Sequence, residues 1–153
     1  MSVLLVRHAS AEDRSTWNGE DRLRPLDDRG CRQAAALIEH LDGYAFTSVI
    51  SSPALRCVST VGPLAAARDL TVCVSESLAE ANERRALDLV RSLAGTDCLV
   101  CTHGDNIPFI LWHFAFFSGF DLGPDPEWRK ASAWVLQTAA GRFVEARYLP
   151  PPV

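Results

Sequence analysis

Three short stretches of the chain place imidazole and guanidinium groups where apolar segments end. Arg7 and His8 follow the run Val3 to Val6, Ser52 and Arg56 follow Ser48 to Ser51, and His103 and Gly104 follow Leu99 to Thr102. A neutral imidazole becomes a nucleophile toward phosphorus once an acceptor holds its second ring nitrogen and fixes the tautomer. A tight turn at a strand end supplies a backbone carbonyl for that purpose. The neighbouring guanidinium of Arg7 suits phosphate oxygens through forked, charge-assisted bonds. Arg56 stands near a helix start, where free amides also favour an anion. Gly104 allows an unusual backbone angle and the close approach of a ligand. Taken singly, each stretch reads as a structural histidine or a solvated arginine; the chemistry lies in their conjunction.

The elements that must hold these groups alternate along the chain. Val3 to Val6, Ser48 to Ser51, Thr71 to Val74 and Leu99 to Thr102 read as short strands. Helices are expected between them: one capped by Asp27 or Asp28 and closed at Gly43, one starting at Ser52-Pro53, and one over Glu83 to Leu93. A fourth is capped by Asp105 or Asn106 and carries the apolar run Ile107 to Phe117, which reads as buried. Ala133 to Thr138 and Phe143 to Tyr148 read as a hairpin around Ala140-Gly141. The pattern predicts an α/β fold, a three-layer sandwich on a mostly parallel central sheet, with residues 1–153 as a single domain. Sites in such sheets form at the carboxyl ends of strands, where all three stretches fall.

The totals narrow the partners. A net charge of −4 argues against a nucleic-acid binder. No apolar run reaches the roughly 18 to 20 residues that span a bilayer, and Met1 to Arg7 lacks a basic leader, so a cytoplasmic protein without membrane contact is expected. Cys98 and Cys101 form a CxxC, but on a strand residues three apart face opposite ways, so reduced thiols are expected instead of a metal or disulfide pair. Magnesium prefers a carboxylate-rich cluster, and none is apparent, so neither metal nor cofactor is expected.

The ordered motifs resemble the histidine phosphatase superfamily, with its phosphoglycerate mutase-like fold. Leu4-Leu5-Val6-Arg7-His8-Ala9 looks like its N-terminal RH motif, and Arg24-Pro25-Leu26 through Gly30 and Gln33-Ala34 like its RPL…G…QA stretch. Ser51 to Thr60 resembles the S-x-A-x-R-x-x-x-T segment, and Thr102-His103-Gly104 the late HG motif. The likeness is to short members: SixA-type phosphohistidine phosphatases and the domain that follows a Nudix domain in some bacterial proteins. Ala9, the Trp17 loop, Ser132 to Leu136 and the Tyr148 to Pro152 ending favour the latter. The resemblance implies His8 as nucleophile, with Arg7, Arg56 and His103 binding phosphate and His103 also taking part in catalysis. It further implies a carboxylate proton donor, best matched by Glu80, with Glu83 and then Glu76 as competitors. The expected activity is hydrolysis of a phosphomonoester, nucleotide or phosphohistidine in a small molecule or phosphoprotein. The alternatives are a phosphoglycerate-type mutase, disfavoured by short length, and a non-catalytic phosphate-binding module that partners a Nudix hydrolase.

Other residues invite weaker roles. Trp17 with Arg14, Arg22 and Arg24 would suit a loop that stacks a base and holds further phosphates, with Trp17, Arg14 and Arg24 as substrate contacts. His40 reads as a surface residue and His113 as packing. Surplus aromatics on the outer face of the Ile107 to Phe117 helix would support a homodimer.

Overall fold

The computed structural model describes all residues, 1–153. Six strands form one sheet: β1 (Ser2–Arg7), β2 (Ser48–Ser51), β3 (Val72–Val74), β4 (Cys98–Thr102), β5 (Ala133–Ala139) and β6 (Arg142–Leu149). Their order is β3-β2-β4-β1-β5-β6. The first four run parallel, while β5 pairs antiparallel with β1 and β6 with β5. The hairpin turn uses Ala140 and Gly141, both at positive φ (52° and 74°), as a tight two-residue reversal requires.

Four helices cover the sheet: α1 (Asp28–His40), α2 (Leu55–Ala67), α3 (Glu83–Ser92) and α4 (Asn106–Ser118). β1 explains why both faces need covering. Val3 and Leu5 enter one apolar cluster with Leu87 and Val90 of α3 and Ile110 and Leu111 of α4. Leu4 and Val6 enter the other, with Leu37 of α1 and Val61 and Leu64 of α2. A strand buried on both sides reads as an unbroken apolar run, which is how β1 and β4 read. The CxxC splits as strand geometry demands, with Cys98 in the first cluster and Cys101 in the second.

Three local expectations need correction. Asp27 caps α1, its side chain accepting from the Gly30 amide at 2.7 Å, but the helix stops at His40, short of Gly43. Pro53 precedes α2 and does not open it: Ala54 is the capping residue, and the helix begins at Leu55. The run Ile107 to Phe117 is buried on one face only, since Trp112, Phe116 and Phe117 are 51%, 81% and 68% exposed. Its uniform apolarity hides the side facing the sheet, because periodicity carries no signal when nearly every position is apolar. No helix is long and apolar enough to cross a membrane.

Candidate active site

The ends of β2, β4 and β1 lie side by side, with Arg7 opposite Thr102 and Ser51 opposite Cys101 in the parallel register. The residues just beyond them, Ser52, His103 and His8, therefore meet at one rim. The His8 and His103 rings lie 5.4 Å apart in an edge-on arrangement. His8 lines a cavity of about 710 Å³ together with Arg7, Arg14, Arg24, Glu80 and Lys130, while His103 and Arg56 line a smaller one of about 140 Å³, with Glu80 common to both.

Backbone and side chains around His8 fix it tightly. Its Nδ1 lies 2.8 Å from the Ala9 carbonyl. A carbonyl only accepts, so Nδ1 carries the hydrogen and Nε2 keeps its lone pair. Burial pushes the imidazole down to about 3; the Ala9 bond opposes that, and the charges of His103, Arg56 and Arg7 add to it. His8 is thus neutral at ordinary pH. The turn itself is pinned by the His8 amide donating to the Thr102 carbonyl (3.1 Å), and by the Ala131 amide donating to the carbonyls of Arg7 and His8. Ala131 adopts φ 64°, an angle that costs a non-glycine residue energy, where it grips this turn.

Thr60 completes the support. Its hydroxyl accepts from the Ala9 amide at 2.8 Å and donates to the Arg56 carbonyl at 2.6 Å. Arg56 and Thr60 are four residues apart on α2 and so share a face. One hydroxyl thereby ties the His8 turn to the arginine helix.

Arg56 is 1% exposed, with its guanidinium donating to the Asp21 carbonyl (2.9 Å), Asp21 Oδ2 (3.1 Å) and Glu80 Oε2 (3.3 Å). Arg7 donates to the Trp128 carbonyl at 2.8 Å and lies against Gly104. A Cβ on Gly104 would sit 2.6 Å from Arg7 Cζ, so the glycine of the HG pair makes room for the protein's own arginine. The Nε atoms of Arg7 and Arg56 are both buried with no partner in the protein. Buried donors are normally satisfied, so unpartnered ones beside a cavity mark a site for an acceptor ligand.

His103 Nε2 lies 2.8 Å from Ser52 Oγ, and Nδ1 lies 3.4 Å from Arg56 Nη2. A guanidinium only donates, so Nδ1 is the acceptor here and Nε2–H donates to Ser52.

Glu80 lines the cavity and bridges two arginines, accepting from Arg14 Nη2 at 3.0 Å as well as from Arg56. Its segment is latched from both ends. Asn106 Nδ2 donates to the Leu78 and Ala79 carbonyls, and Asp105 Oδ2 accepts from the Ala81 amide at 2.7 Å. Ala81 sits at φ 63°. Of the competing carboxylates, Glu76 makes a two-pronged ion pair with Arg22 (2.8 and 2.7 Å), and Glu83 opens α3; neither lines the cavity.

Arg14 and Arg24 both reach the cavity wall, Arg24 held by Asp21 Oδ1 and the Glu12 carbonyl. Trp17 does not join them. Its indole folds over Gly19 and donates to the Glu20 carbonyl at 2.9 Å, away from the cavity lining, because that local bond satisfies its one polar atom. His40 bonds the Pro150 carbonyl, and His113 packs on Phe117; both lie apart from the site. Asp21, Asp105 and Lys130 belong to no sequence motif that points to a site; Asp105 also caps α4, accepting from the Asn106 amide.

Residues 3–87 match the sequence profile of the histidine phosphatase superfamily (branch 1). The chain belongs to that superfamily. It has the phosphoglycerate mutase-like fold. It is 35% identical over 159 aligned positions to an 8-oxo-(d)GTP phosphatase of Mycolicibacterium smegmatis, an alignment covering 99% of this chain and 48% of the relative. The chain thus spans about half the length of that curated relative. Among solved structures, the protein histidine phosphatase SixA complexed with tungstate superposes with a TM-score of 0.76 at 18% identity, over 99% of this chain and 97% of that one. A putative phosphohistidine phosphatase SixA from Nakamurella multipartitia gives 0.76 at 22% identity, over 98% and 95%. These two likenesses concern the fold.

Proposed function

We propose that the protein hydrolyses phosphate monoesters, nucleotides among them, in two steps through a phosphoryl group carried on His8 Nε2. The observation that carries this is the fixed tautomer: Nδ1–H donates to Ala9, so the ring's free lone pair belongs to Nε2, among Arg7, Arg56 and His103.

In the first step Nε2 forms a bond to phosphorus as the ester oxygen departs in line, and the Glu80 carboxyl gives that oxygen its proton. The phosphorylated ring gains positive charge, which the Ala9 carbonyl stabilises. Arg7 and Arg56 offer N–H groups to the equatorial oxygens; His103 serves as a third donor only when Nδ1 carries a proton in place of the bond it accepts from Arg56. These groups are held by other contacts before substrate arrives, so little reorganisation opposes charge development. In the second step water attacks phosphorus, the Glu80 carboxylate accepts its proton, the P–N bond breaks and neutral His8 returns.

Nucleotides enter this reading through the 8-oxo-(d)GTP phosphatase relative, and phosphohistidine through the SixA neighbours. The phosphoryl-binding groups are the same for either. The compartment we assign is the cytoplasm, in keeping with free thiols that include the exposed Cys31 and Cys73.

The test is hydrolysis of p-nitrophenyl phosphate, followed by acid-free quenching and mass spectrometry of the peptide containing His8. The expected result is turnover in the wild type, a phosphate adduct on His8, and neither in His8→Asn. Turnover by a folded His8→Asn protein would overturn the assignment.

A further inference from the structure

Beside the catalytic cavity, sharing Arg7 and Lys130 with it, lies a second recess of about 340 Å³. Ser10, Arg29, Gln33, Arg129 and Pro151 form its other walls, and no carboxylate lines it. The neutral groups are already engaged: the Ser10 hydroxyl donates to Asp27, the Ser10 amide donates to Gln33, and the Gln33 amide donates to the Val153 carbonyl. Of its cations, Arg7 donates to the Trp128 carbonyl, whereas the side chains of Arg29, Arg129 and Lys130 make neither an ion pair nor a hydrogen bond within the protein, although all three line or border one recess.

Like charges converging on a recess repel one another unless an anion sits between them. Burial and the charges of Arg7 and Arg24 work against the Lys130 ammonium. Asp27 acts as a counter-charge to Lys130 and Arg29, and Asp13 to Lys130, but neither carboxylate lines the recess or forms an ion pair with these cations, and the Asp27 oxygens accept from Ser10 and Gly30. The chain as a whole is acidic, at −4, so this local excess of positive charge runs against the global balance. The main cavity contrasts with it, since Glu12, Asp13, Asp27, Glu80 and Asp105 all line that space.

We propose that Arg29, Arg129 and Lys130 form a second anion subsite that holds a non-transferred phosphate, making small molecules with two or more phosphate groups the preferred substrates. Arg7 is common to both spaces, so it lies between the phosphate attacked by His8 and the phosphate held in the recess. The recess is concave and shares Arg7 and Lys130 with the catalytic cavity, which favours a second group on one small substrate over a flat acidic protein surface. This inference rests on the hydrolytic reading for which phosphate is transferred, but the subsite itself binds whether or not transfer occurs.

Binding and turnover are therefore measured separately. Titration calorimetry on His8→Asn protein compares orthophosphate, pyrophosphate and tripolyphosphate. The longer anions are expected to bind about tenfold more tightly than orthophosphate, the gain of one additional charge-assisted contact set. Arg29→Gln with Arg129→Gln is expected to erase that gain, and added salt to weaken it. The same pair of exposed substitutions in the wild-type background leaves p-nitrophenyl phosphate turnover unchanged. It lowers kcat/KM for ADP and for fructose 1,6-bisphosphate; the relative size of those two losses tells whether the second phosphate adjoins the first or lies across a spacer. Equal affinity along the oligophosphate series would overturn the subsite even if p-nitrophenyl phosphate is hydrolysed. So would a series unaffected by the double substitution, or a loss confined to phosphohistidine proteins. Failure of p-nitrophenyl phosphate hydrolysis alone would strike the catalytic assignment and leave the subsite standing on the binding data.

Discussion

The depressed basicity of His8 makes a quantitative claim on stability. Its folded-state value is about 3, against an ordinary value of 6.5. Between those values the unfolded chain binds a proton at His8 that the folded chain refuses. The unfolded state therefore gains as pH falls, and folding stability drops by up to about 1.4 kcal/mol per pH unit for this group. Stability from His8 is fully present above 6.5 and is lost progressively down to about 3. Integrating from pH 6.5 to pH 4 gives a loss of about 3 kcal/mol, a large part of a small domain's margin. The side chain is 6% exposed, so solvent screening does little to reduce this. His8→Asn removes the titration while placing an amide N–H near the Ala9 carbonyl, which keeps the 2.8 Å bond that pins the turn. Urea unfolding of both proteins at pH 6.5, 5 and 4 reads the difference, because the other titrating groups largely cancel. The wild type is expected to lose about 3 kcal/mol more than the variant over that range. NMR of the His8 ring in the wild type is expected to show no titration above pH 4. Parallel stability curves, or a ring that titrates near 6.5, would refute the claim that burial keeps this imidazole neutral.

Other perturbations follow from single contacts. Gly104→Ala places a methyl group 2.6 Å from Arg7 Cζ, so Arg7 must move; kcat/KM on p-nitrophenyl phosphate is expected to fall about 10- to 100-fold, the worth of a charged hydrogen bond, with little change in Tm. Thr60→Val strands the Ala9 amide and is expected to cost about 1 to 3 kcal/mol of stability along with activity, while Thr60→Ser recovers most of both. Asp105→Ala frees the Ala81 amide and relaxes its φ of 63°, so Glu80 loses its position; kcat is expected to drop with KM nearly unchanged, and substrates with good leaving groups are expected to suffer least.

Much of the frame was legible because it depends on local periods. Four runs of strand length, three of them followed by Arg7-His8, Ser52 and His103, give a parallel sheet and put those residues on one rim. The interval from Arg56 to Thr60 is one helical turn, so their shared face was also implicit. Which aromatics α4 presents outward was not legible, because Phe116 and the buried Phe114 are the same residue type in a nearly uniform apolar run, and only packing separates them. The resting place of Trp17 was equally hidden, since a bond to a carbonyl three residues away competes with any ligand.

The sequence by itself determined the fold class and the reactive residue types, since periodicity and strand-end placement are properties of short segments. Tertiary structure decided which ring nitrogen of His8 is free, which carboxylates hold Arg56, and that Arg29 and Lys130, a hundred positions apart, face one recess. Those outcomes depend on distances of a few ångströms between remote segments. Charge and hydrogen-bond energies vary steeply over that range, while sequence spacing carries no information about it.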